Sequence, residues 1–191
     1  MAKLIFIDTE TTGLDHRKNG IWQIAGLIEI DGKVVERFNF FMNPGDVEIT
    51  PEALEVGGVT MEDLESYDPQ EVVFKDFCEM LGEYIDKFNK EDKAFLIAYN
   101  SRFDDGFIRE WFLRNGDKFF GSWFYSNFID VHTLVGYVTM DIRPKINSFK
   151  LMNIVELFGI TLKDAHDASA DVEATYELFK ALKADHLIVK L

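Results

Sequence analysis

Asp8-Thr9-Glu10 sets two carboxylates at the end of an apolar run, Leu4-Ile5-Phe6-Ile7, with Gly13 shortly after. In an extended chain, residues two apart share a face, so the two acids point the same way. Side by side at the edge of a core they repel each other and are costly to desolvate. A divalent cation that prefers hard oxygen ligands is the natural compensation. Taken alone, the pair also reads as a turn cap, Asp8, beside a solvated Glu10.

Two further stretches carry groups of the same kind. In Tyr99-Asn100-Ser101-Arg102-Phe103-Asp104-Asp105, Asp104 precedes Phe107, Ile108 and Trp111 at helical spacing, which puts it at the inner edge of a buried helix face. Asp105 fits that stripe less well and is expected to face water. In His166-Asp167-Ala168-Ser169-Ala170-Asp171, Asp167 reads as a helix cap, leaving His166 on the incoming loop and Asp171 in the first turns. Each stretch by itself is equally a helix start whose acids suit the macrodipole. Together, Asp8, Glu10, Asp104 and Asp171 could meet at the carboxyl ends of two strands, where ligands bind in α/β sheets. Four carboxylates and one histidine make a two-metal site for phosphoryl chemistry, with Mg²⁺ or Mn²⁺ ions about 4 Å apart. Asp130, in Asp130-Val131-His132-Thr133, either orients a ligand from behind or caps the helix that follows.

The elements that must position these groups follow from periodicity and turn chemistry. Leu4 to Ile7 is apolar on both faces and so reads as a central strand. Residues 21–30 and 33–42 read as two more strands, joined by Asp31-Gly32, a strong hairpin signal. Thr50-Pro51, Thr60 and Asp68-Pro69 open three helices. The third carries Val73, Phe77, Met80, Leu81, Tyr84, Ile85 and Phe88 as its stripe. Residues 94–98 are a buried strand parallel to the first, and 102–113 a helix with Phe107, Ile108, Trp111 and Phe112 inside. A short strand at 128–131, a helix at 132–138, a helix capped by Ser148 and stopped by Gly159, and a last helix to about Ala184 complete the series. The order β-β-β-α-β-α-β-α-α predicts a mixed five-stranded sheet with flanking helices.

A chain of 191 residues suits one domain, 1–191, with a sizeable core. Its net charge of −14 argues against a broad basic surface for capturing nucleic acid, although metal ions can supply positive charge locally. No apolar run approaches membrane-spanning length, and no membrane partner is expected. A strand at the very start leaves no room for a signal peptide. The single cysteine, Cys78, reads as a small core residue and fits a reducing, cytoplasmic setting. Phe119-Phe120 and Trp123-Phe124-Tyr125 form an aromatic cluster in a loop-like region, for core packing or for stacking on bases. Arg17 and Lys18 leave the first strand on the side of the acids, either solvated or against a nucleic-acid backbone. His132 is expected to be structural, and His16 and His186 exposed. The apolar tail Leu187-Ile188-Val189-Lys190-Leu191 docks on the domain or binds a polymerase or clamp.

These motifs resemble the DEDDh group of 3′–5′ exonucleases, particularly the epsilon proofreading subunit of bacterial replicative DNA polymerase and its stand-alone relatives. Ile7-Asp8-Thr9-Glu10-Thr11-Thr12-Gly13 looks like the first family motif, Asn100 to Asp104 like the second and His166 to Asp171 like the third. Pro51 to Thr60 looks like the family's segment before the first long helix. The resemblance implies an α/β, ribonuclease-H-like fold with strand order 3-2-1-4-5. It implies Asp8, Glu10, Asp104 and Asp171 as metal ligands and His166 as general base. It also implies Thr9 and Thr11 contacting the terminal nucleotide through backbone groups, Leu14 wedged against the last bases, and Asn100 and Phe103 lining the pocket. The expected reaction releases 5′-mononucleotides from single-stranded DNA 3′ ends, in proofreading or end trimming. RNA trimming is one alternative, and a non-catalytic, partner-binding domain is another. Tyr99 stands where many relatives carry histidine, and Asp105 and Asp167 add negative charge beside the ligands.

Overall fold

The computed structural model describes residues 2–160 and 168–186. Five strands form one sheet in the order β3-β2-β1-β4-β5, the order that the resemblance implies, with the mixed character that the series of elements predicts. Strands β1 (Lys3–Thr11), β2 (Ile21–Ile30) and β3 (Lys33–Phe41) are antiparallel neighbours. The Asp31-Gly32 turn between the last two has both residues at positive φ, 52° and 78°, as a tight two-residue hairpin requires. Strand β4 (Ala94–Ala98) runs parallel to β1, and the short β5 (Ile129–Asp130) parallel to β4.

The helices take their starts from local sequence. Thr50 caps α1 (Pro51–Gly57) by accepting the Ala53 N–H, and Gly58, at φ 62°, ends it. Thr60 and Asp63 form a reciprocal capping box on α2 (Met61–Ser66). Next come α3 (Gln70–Tyr84), α4 (Ser101–Arg114), α5 (Phe120–Trp123), α6 (Val131–Val138), a 3₁₀ turn (Met140–Lys145), α7 (Leu151–Leu157) and α8 (Ala168–His186). No helix among the described residues is long and apolar enough to cross a membrane.

Alternation along β1 divides the core in two. Ile5 and Ile7 join Phe77 and Leu81 of α3 and Phe107, Ile108 and Phe112 of α4. Leu4 and Phe6 join Val131 and Val135 of α6, Ile154 of α7 and Val172 and Leu178 of α8. Phe6 meets the rings of Tyr176 and Phe179 edge-on at 5.1 and 5.4 Å. Gly26 of β2 is obligatory, because a Cβ there would collide with the Phe38 ring and the Phe6 carbonyl.

Three expectations need correction, and one element was not foreseen. Helix α3 stops at Tyr84, because Ile85 turns to extended backbone, and Phe88 is 87% exposed rather than part of the stripe. The aromatic cluster is not a loop: Phe120, Trp123 and Phe124 are buried in and beside α5, leaving Phe119 outside. The 3₁₀ turn had no apolar period to announce it. Lys150, not Ser148, is the cap residue of α7, although the Ser148 hydroxyl accepts the Lys150 N–H at 3.2 Å. Asp167, His166 and the tail Leu187–Leu191 lie outside the described residues, as does the side chain of His186.

Candidate active site

The end of β1 is held by its own loop. Thr12 donates its hydroxyl to the Glu48 carbonyl at 2.7 Å, and the Asn19 amide donates to the same oxygen at 2.7 Å. Thr50 N–H returns to the Thr12 carbonyl at 2.9 Å. Asn19 packs so tightly on Gly13 that a Cβ there would lie 2.5 Å from it. Arg114 of α4 reaches over and donates to the carbonyls of Asn19 and His16 at 2.9 and 3.0 Å. His16, expected to be exposed, is half-buried: its ring lies over Gly106, edge-on to Phe107. These ties leave Leu14 at the tip of the loop, 87% exposed.

Asp104 is 2% exposed on α4. Its Oδ1 accepts the Thr9 N–H at 3.0 Å and the Thr9 hydroxyl at 2.9 Å. Burial pushes its pKa up to about 7 against those two hydrogen bonds, and the charge of Glu10 adds to the rise. Asp105, its neighbour, turns away into an ion pair with Arg109 one helical turn on. Arg109 lies in turn over the rings of Phe120 and Phe128, at 4.2 and 5.3 Å. Asp130 caps α6, accepting from His132 N–H and the Thr133 hydroxyl, and also takes the Asn100 N–H at 2.9 Å. That bond holds Asn100 at φ 69° as the chain turns into α4.

Alternation sends Thr9 toward α4, and Asp8 and Glu10 toward α8. Asp104 therefore approaches the strand end from one side while Asp8 and Glu10 sit on the other. Glu10 and Asp171 line one cavity of about 520 Å³, together with Gln23, the partner of Glu10 in register on β2. Among the described residues, no three His, Cys, Asp or Glu side chains converge closely enough to hold a metal ion. The donor chemistry nevertheless suits a divalent cation. All four candidates are carboxylates, and the buried Asp104 makes no ion pair with lysine or arginine among the described residues.

A second cavity, of about 660 Å³, is lined by Thr9, Glu10, Thr11, Leu14 and Phe103. Residues of the first and second motifs thus share one pocket, and Asn100 is not among its lining. Sequence reasoning missed Val56, 86% exposed on α1, which lines the same pocket as Leu14. An apolar residue in the last turn of a polar helix, just before Gly57-Gly58, was the available signal. It also missed Gln23, buried in an apolar strand with its amide donating to Asn39 at 2.9 Å.

A mixed sheet of this order, with carboxylates gathered at the end of its central strand, is the ribonuclease-H-like arrangement seen in nucleases. The chain belongs to the exonuclease family, of RNase T type, whose profile matches residues 5–179. It is 29% identical over 184 residues to a PolC-type DNA polymerase III of Listeria innocua, covering 95% of this chain and 11% of that protein. A PolC-type polymerase of Thermotoga petrophila is 28% identical over 178 residues, 93% of this chain and 12% of the polymerase. Among solved structures, E. coli exonuclease I in complex with a dT13 oligonucleotide superposes with a TM-score of 0.78 at 25% identity, over 98% of this chain and 43% of that one. The chain thus spans about a tenth of the polymerases it matches and less than half of exonuclease I.

Proposed function

We propose that the chain is a metal-dependent 3′–5′ exonuclease that hydrolyses the terminal phosphodiester of single-stranded DNA and releases 5′-mononucleotides. One exonuclease domain over 1–191 carries the activity. The observation behind this reading is the pocket in which Thr9, Glu10, Thr11 and Leu14 meet Phe103 at the mouth of the buried Asp104. Thr9 and Thr11 offer backbone groups to the terminal nucleotide, the exposed Leu14 offers an apolar wedge to its base, and Phe103 borders it. Asp8, Glu10, Asp104 and Asp171 would hold two divalent ions, Mg²⁺ or Mn²⁺. Such ions neutralise charge on the scissile phosphate and lower the pKa of water. Thr9 keeps Asp104 in place with two hydrogen bonds. His166, in the third motif, takes the proton from the attacking water as general base.

The likeness to DNA polymerases and to an exonuclease bound to dT13 favours DNA over RNA, and favours proofreading beside a polymerase or clamp. End trimming by the chain alone uses the same chemistry. The test is digestion of 5′-labelled single-stranded DNA and RNA of one sequence in Mg²⁺, Mn²⁺ and chelator. A metal-dependent ladder shortening from the 3′ end of the DNA is expected. A ladder mainly on RNA would move the function to RNA trimming. Cleavage unaffected by chelator would overturn the metal assignment.

A further inference from the structure

Residues 142–155 carry Arg143, Lys145 and Lys150 and no acid, in a chain of net charge −14. This strap leads from the 3₁₀ turn into α7. All three cations are exposed, and none makes an ion pair among the described residues. A solvated basic loop would have nothing to hold it, but this one is anchored. The Arg143 guanidinium stacks 4.4 Å over the Phe149 ring and donates to the Ile146 carbonyl at 3.0 Å. The Tyr99 hydroxyl donates to the Phe149 carbonyl at 2.6 Å. His132 packs edge-on to both Tyr99 and Phe149, at 5.3 and 5.6 Å.

The anchor sits beside the candidate catalytic acids. Phe6 of β1 pairs with Ile97 of β4 in parallel register. Carrying that register on by two residues sets Tyr99 level with Asp8, about 5 Å away between strands and on the same face. Phe103 and Thr9, which line the nucleotide pocket, belong to the α4 side, whereas Tyr99 and Phe149 belong to the α8 side. Pocket and strap therefore flank the carboxylates. The strap that carries Arg143, Lys145 and Lys150 thus lies across the acids from the pocket.

We propose that the strap is a track for the sugar–phosphate backbone of single-stranded nucleic acid. Lys145 and Lys150 contact phosphates beyond the scissile one, and Arg143 keeps the strap folded against Phe149. This rests on the exonuclease reading for where the strand ends, but binding can be measured without hydrolysis. The strap also supplies locally the positive charge that the whole chain lacks.

The test measures fluorescence anisotropy of labelled dT12 and rU12 with the full chain in chelator, across a series of NaCl concentrations. Neutralising two phosphate contacts should make the slope of log Kd against log salt shallower by about 1.4. The double variant Lys145→Gln/Lys150→Gln should show that change, with Kd at least about tenfold weaker at 0.1 M salt, on both oligonucleotides. The control Lys33→Gln/Lys75→Gln removes the same charge from β3 and α3 and should leave the slope unchanged. Equal effects from both pairs would mean net charge alone is at work and would overturn the track. So would no effect, or an effect on one sugar only. If strap-dependent binding holds while the wild-type chain hydrolyses nothing in Mg²⁺, the exonuclease reading fails and the track stands.

Discussion

The two sides of β1 reach the same strand end with different construction. On the α4 side, Phe112 is fully buried. Phe74 and Phe120 meet it edge-on at 4.8 and 5.1 Å, and Phe124 at 6.4 Å. This side also holds the buried Asp104, fixed by Thr9. On the α8 side, Asp8, Glu10 and Asp171 are only half-buried, and the aromatic contacts are divided between Phe6, deeper in the core, and the Tyr99, His132 and Phe149 rings beside Asp8. A rigid aromatic layer can carry a carboxylate whose burial is unfavourable. The acids on the other side are the more accessible ones. Substitutions on the two sides should therefore separate stability from chemistry.

The largest effect is expected in the aromatic layer. Phe112→Ala leaves a cavity among five rings, those of Phe74, Phe77, Trp111, Phe120 and Phe124, and should cost about 3–5 kcal/mol of unfolding free energy. Denaturant unfolding checks this, and a loss under 1 kcal/mol would show that the layer is not what stabilises the α4 side. Asp8→Ala on the other side should leave the unfolding midpoint in chelator nearly unchanged while hydrolysis falls. Losing a partner that merely supports a ligand costs about 10–100-fold, so loss of the ligand itself should cost at least 100-fold. Retained hydrolysis in this variant would remove Asp8 from the chemistry.

Asp104→Asn should combine both behaviours. The amide oxygen can still accept from Thr9, and the charge that burial disfavours is gone. In chelator the variant should melt higher than the wild type, yet hydrolyse at least 100-fold more slowly, by the same argument as for Asp8. Mg²⁺ supplies the complementary measurement. At 100 times its Kd, a ligand that binds only the folded state adds about 2.7 kcal/mol. The wild type should show an upward thermal shift with Mg²⁺, and Asp104→Asn and Asp8→Ala should lose it. An equal shift in all three proteins would place the ion elsewhere.

How much of this was legible in the sequence follows the same division. The hairpin and the helix starts could be read because Asp31-Gly32, Thr50-Pro51 and Thr60-Asp63 act locally, each fixing backbone within a few residues, whereas the full strand order came only from the family resemblance. Asp104 could be placed inside because three apolar residues at helical spacing follow it. What could not be read depends on contacts distant in sequence. Asp105 could be read as pointing away from the buried stripe, but not its pairing with Arg109, itself stacked on Phe120 and Phe128. His16 looked exposed, but Arg114 and Phe107, some 90 or more positions later, enclose it. Val56 belongs to no motif, and only the folding of α1 against the β1 loop brings it to the pocket.

The smallest expected effect sharpens the comparison at the pocket itself. Leu14 and Val56 are nearly fully exposed apolar side chains that line the same pocket. Neither is used to hold the fold, so truncation should not move the melting temperature, as for exposed positions generally. If a base packs between them, Leu14→Ala loses part of one apolar contact, worth about 1–1.5 kcal/mol, or roughly five- to tenfold in KM. Binding energy that is equal in ground and transition states lowers KM without raising kcat, so kcat should stay near the wild-type value. The Leu14→Ala/Val56→Ala double variant should then lose less than the sum of the single losses, because both side chains grip the same ring. Strict additivity would mean that the two side chains meet different parts of the substrate. A loss in kcat alone would mean that Leu14 positions the scissile bond rather than simply holding the base.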